Sequence, residues 1–372
     1  MITQFLAVMQ DSLRLLRSRS LFWLSLVLSA VAAVALFSTY SFNPDGIRFF
    51  WFDTWKNPMF VKGTSGPNDF VGFMFNGVFV KFWLAWGAII LAVISTSSIL
   101  PEFLAGGSID MTLSKPISRL RLFAFKVFGA MLFVALQVTV GVGLAYLIIG
   151  LKFDIWVHKS LWAIPLITLQ FFYLYSISAL IAVVTRSTLA CVMGTILLWF
   201  LIFLIQFTSN KLDEEVVSSR SMMDQNQRQI VRLETTAKEA DRELTSSEKS
   251  RLDRLQARRE STESSLRSIE RFQRWANLAK LSVPKTGDIQ TIIAKVADAP
   301  IANEVMRMMA SGRDKFRPEG MDADEWDSIN EAGSAAQKAR RGLSIRRSIT
   351  SSLVFSLSAL GLSAFIFWRR DF

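Results

Sequence analysis

The chain has 372 residues, of which 51% are hydrophobic, and a formal net charge of +11. Its single cysteine, Cys191, and single histidine, His158, exclude a disulfide framework and a His/Cys metal site within one chain. The motifs GxxxxGK[ST], GxGxxG after a strand and HExxH do not occur, so we expect no catalytic residue, and any nucleotide must bind to another polypeptide. No basic patch is interleaved with aromatic residues, so nucleic acid is not an expected partner.

Residues 1–20 predict an amphipathic helix, because apolar side chains recur every three or four residues. The apolar positions are Phe5, Leu6, Met9, Leu13 and Leu16. Arg14 and Arg17 lie off that face. The helix either rests along the inner membrane surface or simply extends the first span into the cytoplasm.

Six windows have the apolar length of about 20 residues that the hydrocarbon core requires. They cover residues 21–40, 78–100, 122–149, 161–184, 188–207 and 351–368. We interpret the first as an uncleaved helix rather than a signal peptide, because its polar lead and its apolar run are both long. The predicted fold is an all-α, six-helix polytopic membrane bundle with both termini on one side of the membrane.

Lysines and arginines near the span ends predict the orientation. One side collects Arg14, Arg17, Arg19, Lys115, Arg119, Arg121, Lys126, Arg186, Arg369 and Arg370. The short opposite loops hold Arg48, Lys56, Lys62, Lys81, Lys152 and Lys159. The first side, which carries both termini, is therefore predicted to be cytoplasmic. Arg346 and Arg347 count against this orientation, but they end a long translocated segment, where the charge rule is weaker.

Two connections stand out before the third span. The outer loop contains IRFFWFDTW at residues 47–55, whose aromatic density suits the headgroup region, so we interpret it as an interfacial anchor, with a substrate gate as the alternative. Residues 101–119 form a cytoplasmic connection with a proline at its start, the pair Gly106 and Gly107, and Pro116 near its end. The pattern predicts a rigid charged elbow, which either docks into a partner or only solvates the turn.

The run EFLAGGSIDMTLSKPISR, residues 102–119, resembles the coupling segment of ABC-2 type exporter permeases, in particular their multicopper-enzyme-maturation branch. Weaker matches are TRS at residues 185–187 and the terminal WRRDF. The resemblance covers residues 1–207 and about 345–372.

The resemblance implies a permease subunit of an ABC exporter in the bacterial cytoplasmic (inner) membrane. A separate ATPase subunit would hold ATP and Mg²⁺, and this chain would need no cofactor of its own. Two permeases, identical or different, would pair with two ATPases. The implied ATPase contacts are Glu102, Gly107, Asp110, Lys115, Pro116 and Arg119.

Residues 208–345 depart from that family's pattern, because the sequence becomes polar where the family has a shorter outer loop. Apolar residues repeat every seven positions, and a second periodic run follows a capping-box pattern at residues 245–248. The repeat comprises Val216, Met223, Ile230, Ala237 and Leu244, and the second run Leu252, Leu255, Leu266, Ile269 and Phe272. They predict an extracytoplasmic coiled-coil hairpin between spans five and six, with one continuous helix as the alternative.

The remaining insert has two parts. Residues 281–309 predict a compact helical return, and residues 313–336 a surface loop that is flexible or ordered by a partner. The resulting boundaries are 1–207 for the first five spans, 208–345 for the insert and 346–372 for the last span. The hairpin over residues 213–280 either stabilises a permease dimer or reaches an extracytoplasmic protein partner.

A few polar residues inside the spans are candidates for lining a transport path. Gln137, Gln170 and Tyr173 are the best of these, because a side-chain amide in lipid normally finds a partner or water. Small residues such as Gly141 and Gly194 are explained equally by close helix packing.

Three functions remain open from the sequence. The first is the exporter permease. The second is an ATP-driven module that transmits force through its hairpin, or acts as a scaffold, without translocating a substrate. The third is an anchor or receptor without ATP, which leaves the 101–119 connection unexplained.

Overall fold

The computed structural model describes residues 20–50, 55–56, 66–104, 118–239, 243, 245–281, 283–297 and 344–369. Helices make up nearly all of this part of the chain, and its β structure is a small three-stranded sheet. The prediction of an all-α bundle with six long apolar helices is confirmed at that level. The predicted amphipathic helix over residues 1–20 lies outside the described residues, except for Ser20.

In chain order the elements are α1 (Ser20–Ser38), β1 (Tyr40–Asn43), β2 (Gly46–Phe49), β3 (Trp55–Lys56), α2 (Gly66–Phe73), a π-helix (Met74–Ala88), α3 (Ile89–Thr96), α4 (Ile99–Leu104), α5 (Arg119–Phe153), a 3₁₀ helix (His158–Trp162), α6 (Ala163–Thr185), α7 (Thr188–Glu239), α8 (Ser246–Leu281), α9 (Thr286–Val296) and α10 (Ile345–Arg369).

Six helical stretches are long and apolar enough to cross a membrane, judged by length and composition. They are Ser20–Ser38, Gly66–Leu104, Arg119–Phe153, His158–Thr185, Thr188–Glu239 and Ile345–Arg369. Each coincides with one predicted window. The second begins at Gly66 rather than near residue 78, and it contains the π-helix.

The described residues form two compact units. The first holds the residues up to 201 together with 284–297 and 349–369, and the second holds 202–283 and 344–348. Helices α7 and α10 each contribute to both units.

In the first unit the fourth span is the central one, since 67% of its apolar window is buried. Helix α6 packs against α5, α4 and α9. Helix α1 lies along α5. Between two buried phenylalanines its buried face carries Ser25, Ser29 and Ala33, whereas the branched side chains of Val27, Val31 and Val34 are exposed. This inverted pattern is typical of helices in lipid, where small residues allow the backbones to approach each other.

A small antiparallel sheet follows the first span, and the sequence analysis did not predict it. Strands β1 and β2 pair from Tyr40 opposite Phe49 to Asn43 opposite Gly46, and the turn needs a glycine because φ of Gly46 is 143°. Ile47 is fully buried. Of the described residues of the predicted headgroup anchor, Ile47 therefore packs inside the protein, whereas Arg48 and Phe50 are exposed. Residues 51–54 lie outside the described residues.

Aromatic rings pack beside this sheet. Tyr40 is buried, stacks on Phe153 with 5.2 Å between centroids, and meets Phe70 edge-on at 5.1 Å. Burial raises the pKa of the Tyr40 hydroxyl above its ordinary value. Lys152 Nζ lies 2.8 Å from Ser38 O, so it donates to a carbonyl that the end of α1 leaves without a helical partner.

In the second unit, side chains of α7 bond to side chains of α8. Ser209 Oγ donates to Asn277 Oδ1 at 2.8 Å, and Arg220 pairs with Glu270 at 2.7 Å. Arg259 donates to Gln227 farther along. Residue numbers rise along α7 while they fall along α8, so these contacts run antiparallel.

Most of the predicted seam that lies in the described region is buried: Val216, Ile230 and Ala237 on α7, and Leu255 and Leu266 on α8. Phe272 departs from it, because its side chain is 71% exposed. Leu244 lies outside the described residues. The coiled-coil interpretation of the pair stays a prediction.

One of the two bonds of the predicted capping box is seen at the start of α8, where Thr245 N donates to Glu248 Oε2 at 2.9 Å. The Thr245 hydroxyl donates to the same carboxylate. The helical return is seen as α9, whose Ile289, Ile292 and Ile293 are buried. Lys285 N, at the start of α9, donates to Ser352 Oγ of α10 at 2.9 Å. Residues 298–343 lie outside the described residues.

Candidate functional site

The structure describes the two ends of the 101–119 connection. Glu102 is exposed on α4, and Arg119 is half-buried at the start of α5. Gly107, Asp110, Lys115 and Pro116, the other predicted contacts, lie outside the described residues.

The first end is α4, which packs its apolar side chains inward. Leu100, Pro101, Phe103 and Leu104 are buried on either side of Glu102. The ring of Phe103 lies 6.1 Å from that of Phe367 near the end of α10, and Phe367 lies 5.8 Å from Phe123 in α5. One aromatic cluster therefore joins α4 to the third and sixth spans.

A buried cation completes this aromatic cluster. Lys126 Nζ lies 5.7 Å from the centroid of the Phe103 ring, and the Lys126 side chain is 8% exposed. An ammonium group above an aromatic face is attracted by the ring quadrupole. From the sequence, Lys126 serves only as one of the basic residues that predict the orientation in the membrane. Its aromatic partner cannot be recognised until α4 and α5 are seen side by side.

The second end is capped by a serine. Ser118 has extended backbone geometry, and its Oγ accepts from Arg121 N at 3.4 Å. Leu122 N donates to Ser118 O at 3.1 Å, which closes the first turn of α5. The cap sets the start of the helix, so Arg119 is its first residue.

A second cluster, the polar layer, lies inside the bundle and consists of Gln137, Gln170, Ala85 and Ala88. Gln137 of α5 and Gln170 of α6 are both fully buried. Gln137 Nε2 donates to Ala88 O at 3.3 Å, and Gln170 Nε2 donates to Ala85 O at 3.4 Å. Two predicted path residues thus meet the same turn of the second span.

These acceptors lie at the end of the π-helix, which finishes at Ala88. A π-helix bonds each N–H to the carbonyl five residues earlier, so its passage into an α-helix changes which carbonyls find a helical partner. At this point Ile89 N donates to Trp86 O, three residues earlier. Backbone groups in a membrane must be satisfied within the protein. The two glutamine amides supply hydrogen bonds at this change of pitch.

Glycines make room for large rings along the π-helix. A Cβ on Gly77 would lie 3.0 Å from the Phe73 ring, and one on Gly87 would lie 3.0 Å from the Trp83 ring. Both rings belong to the residue four positions earlier. The π-helix could not be predicted from the sequence, because its apolar composition does not differ from that of an α-helical membrane span.

The polar layer keeps unused hydrogen-bonding capacity. The Oε1 atoms of Gln137 and Gln170 have no hydrogen-bond partner among the described residues. Tyr173, one turn beyond Gln170 on α6, is fully buried, and its hydroxyl interacts with Ser352 without a well-formed hydrogen bond. Native buried polar atoms are usually satisfied, so these atoms mark a place where water or a polar ligand can bind.

Among the described residues, the fold and these clusters define a class: a helical protein with six candidate membrane spans and an internal polar layer. No family model, no curated protein and no solved structure matches this chain.

Proposed function

We propose that this chain is the permease subunit of an ABC-2 type exporter in the bacterial inner membrane. A separate ATPase docks on the 101–119 connection and drives the change of conformation, with ATP and Mg²⁺ bound to that ATPase. The observation that carries the proposal is the aromatic cluster of Phe103, Phe123 and Phe367, which ties one end of the connection to two spans.

The cluster supports a mechanical role. A force on the connection reaches Phe103 through the short helix α4, and from there it reaches α5 and α10 through ring contacts. The opposite end starts α5 directly at Arg119. Rigid helices packed in this way move together, which is how closure of a partner can be converted into movement of spans.

The polar layer supports a path through the bundle. Its polar groups are the side-chain amides of Gln137 and Gln170 and the hydroxyl of Tyr173. The two amide oxygens have no hydrogen-bond partner among the described residues. In the proposed function these groups line the route of a polar substrate, and the π-helix that they contact changes its pitch as the bundle opens. The permease acts as a dimer, identical or mixed, with both termini in the cytoplasm.

Force transmission without transport is the second candidate, and one observation favours it. The fifth span and the first polar arm are a single helix of 52 residues, Thr188–Glu239. Movement at one end of a continuous helix is carried to the other. In this function the two arms form a coiled-coil hairpin that acts on an envelope protein.

Co-purification with a co-expressed ABC ATPase, taken from a neighbouring gene where that gene carries a Walker motif, tests the first function. We expect Phe103→Ala to keep the ATPase bound but to abolish stimulation of ATP hydrolysis. Phe365→Ala is the matched control, because Phe365 lies on α10 near Phe367 but is 49% exposed. Equal stimulation by the two variants would contradict the proposal.

The double variant Glu102→Ala and Arg119→Ala is expected to weaken ATPase binding itself. Deletion of residues 213–280 separates the two candidates, because transport should survive it, whereas force transmission should be lost.

Labelling tests the orientation on which both functions depend. Cys191 is the single native cysteine and is buried, so a Cys191→Ser background gives a clean reporter. A membrane-impermeant maleimide added outside should label Lys159→Cys and leave Glu102→Cys unlabelled. Labelling of Glu102→Cys from outside would refute the proposed docking of a cytoplasmic ATPase.

A further inference from the structure

An apolar stripe lies on the outer face of α8, near its C-terminal end. It comprises Phe272, Trp275 and Leu278, whose side chains are 71%, 76% and 57% exposed. The three residues recur every three positions, so they follow one side of the helix. The opposite side of α8 carries Gln273 and Asn277, which bond to α7.

Contacts between the two helices fix the height of the stripe. The apolar run of α7 ends at Phe207, and Asn277 accepts from Ser209 Oγ at 2.8 Å. Gln273 Nε2 donates to Asp213 Oδ1 at 2.7 Å. The same antiparallel alignment puts Leu278 and Phe272 level with positions 208 and 214 of α7. With a rise of about 1.5 Å per residue, the stripe spans from roughly 1.5 to roughly 10.5 Å beyond the end of the apolar run.

That interval matches the polar layer of a bilayer. The headgroup region adds about 5 to 8 Å on each side of the hydrocarbon core. A large apolar stripe on an otherwise polar helix therefore begins where lipid headgroups lie.

The composition of the stripe fits this environment. Tryptophan is enriched at membrane interfaces because its ring is apolar while its N–H seeks a polar partner. Arg271 and Arg274 are exposed beside the stripe. Long basic side chains at this depth reach lipid phosphates while their methylene stems lie against apolar groups.

We propose that Phe272, Trp275 and Leu278 dock into the headgroup layer of the membrane that α7 leaves, so that the base of α8 is anchored to lipid. The anchor holds the membrane-proximal end of the α7–α8 pair at the membrane surface. This role is the same whether or not an ATPase drives the protein. A second copy of this chain or another segment of the same chain are the competing occupants.

A fluorophore at Trp275→Cys in the Cys191→Ser background tests the anchor. The full-length protein is placed in vesicles of phosphatidylethanolamine and phosphatidylglycerol at a low protein-to-lipid ratio. The matched control is Ala257→Cys, an exposed residue 18 positions earlier. Five helical turns separate the two positions, so they face the same way about 27 Å apart.

We expect a blue-shifted emission at position 275 and at least a two-fold quenching by lipids that carry a nitroxide near the carbonyl group. The label at position 257 should be water-exposed and unquenched.

Three results would overturn the anchor. One is equal water exposure at both positions. Another is shielding of position 275 without quenching by nitroxide lipid, which would show that protein covers it. The third is shielding that disappears on dilution of the protein in lipid, which would show a contact between copies.

Discussion

Replacement of Gly150 by alanine should displace a tryptophan at the end of the third span. A Cβ on Gly150 would lie 2.6 Å from Trp156 Cζ3, closer than real contacts allow, so the indole ring must move. The ring would then leave Tyr146, which it meets at 5.3 Å with 61° between the planes. Overpacking of this kind costs about 1–3 kcal/mol, and the lost ring pair accounts for about 0.5–1.5 of it.

A second glycine of the same helix isolates this cost. A Cβ on Gly143 meets nothing within 4 Å. Both substitutions gain about 0.8–1 kcal/mol from the higher helix propensity of alanine. The propensity term therefore cancels between the two variants, and we expect Gly150→Ala to be less stable than Gly143→Ala by about 1–3 kcal/mol.

Equilibrium unfolding of the purified protein in mixed micelles measures the difference in the free energy of unfolding. A double-mutant cycle with Trp156→Ala then identifies the cause, because Gly150→Ala should cost little once the indole is gone. The reasoning is refuted if Gly150→Ala and Gly143→Ala have equal effects, or if the cost of Gly150→Ala persists without the indole.

Two further predictions concern charged groups. Lys152→Met should lower the free energy of unfolding by about 1 kcal/mol, because the exposed ammonium donates to Ser38 O. Lys152→Arg should retain most of that stability in the same unfolding assay. Arg267 holds the pKa of Glu263 below its usual value through a hydrogen bond and its charge. This pair contributes above the ordinary glutamate pKa and is lost as pH falls through the lowered one. A carboxyl ¹³C titration should show the lowered pKa, and Arg267→Ala should raise it towards the usual value, since only the weaker effect of the Arg259 charge then remains.

The spans could be predicted from the sequence because hydrocarbon thickness imposes a length on any crossing helix. The windows at residues 21–40 and 161–184 therefore coincide with observed helices. The capping box at residues 245–248 was visible for a similar reason, since it depends on side chains only three positions apart. Local rules of this kind need no knowledge of the tertiary fold.

Features that depend on contacts between distant segments could not be predicted. The aromatic run after the first span indicates an interface by composition, but its Ile47 pairs into a sheet and is buried. Phe272 fits the apolar period of α8, yet its ring is exposed. The apolar period alone does not show which positions of a helix a partner covers. The acceptors of Gln137 and Gln170 are backbone carbonyls, which carry no sequence signal at all.

The energetics of the polar layer lead to a prediction that separates function from stability. A hydrogen bond between membrane helices contributes about 0.6 kcal/mol on average, and the Gln137 bond is long at 3.3 Å. Its Oε1 lacks a partner among the described residues, and burial of such an atom costs about 1–3 kcal/mol. Leucine has a similar volume and removes both terms, but it also leaves Ala88 O without this donor, which offsets the relief of Oε1. Gln137→Leu should therefore change the free energy of unfolding by less than about 1 kcal/mol.

If Gln137 lines a transport path and does not merely pack the bundle, Gln137→Leu should abolish the stimulation of ATP hydrolysis in the complex with the ATPase. Thr139→Val is the control on the same helix, because Thr139 is exposed and bonds only within α5, to Ala135 O. Both measurements are made on one preparation of each variant. A decrease of more than about 2 kcal/mol in the free energy of unfolding of Gln137→Leu would show that the glutamine serves to stabilise the bundle. Unchanged stability together with unchanged ATP hydrolysis would exclude Gln137 from the path, because the substitution would then have altered neither the packing of the bundle nor its coupling to the ATPase.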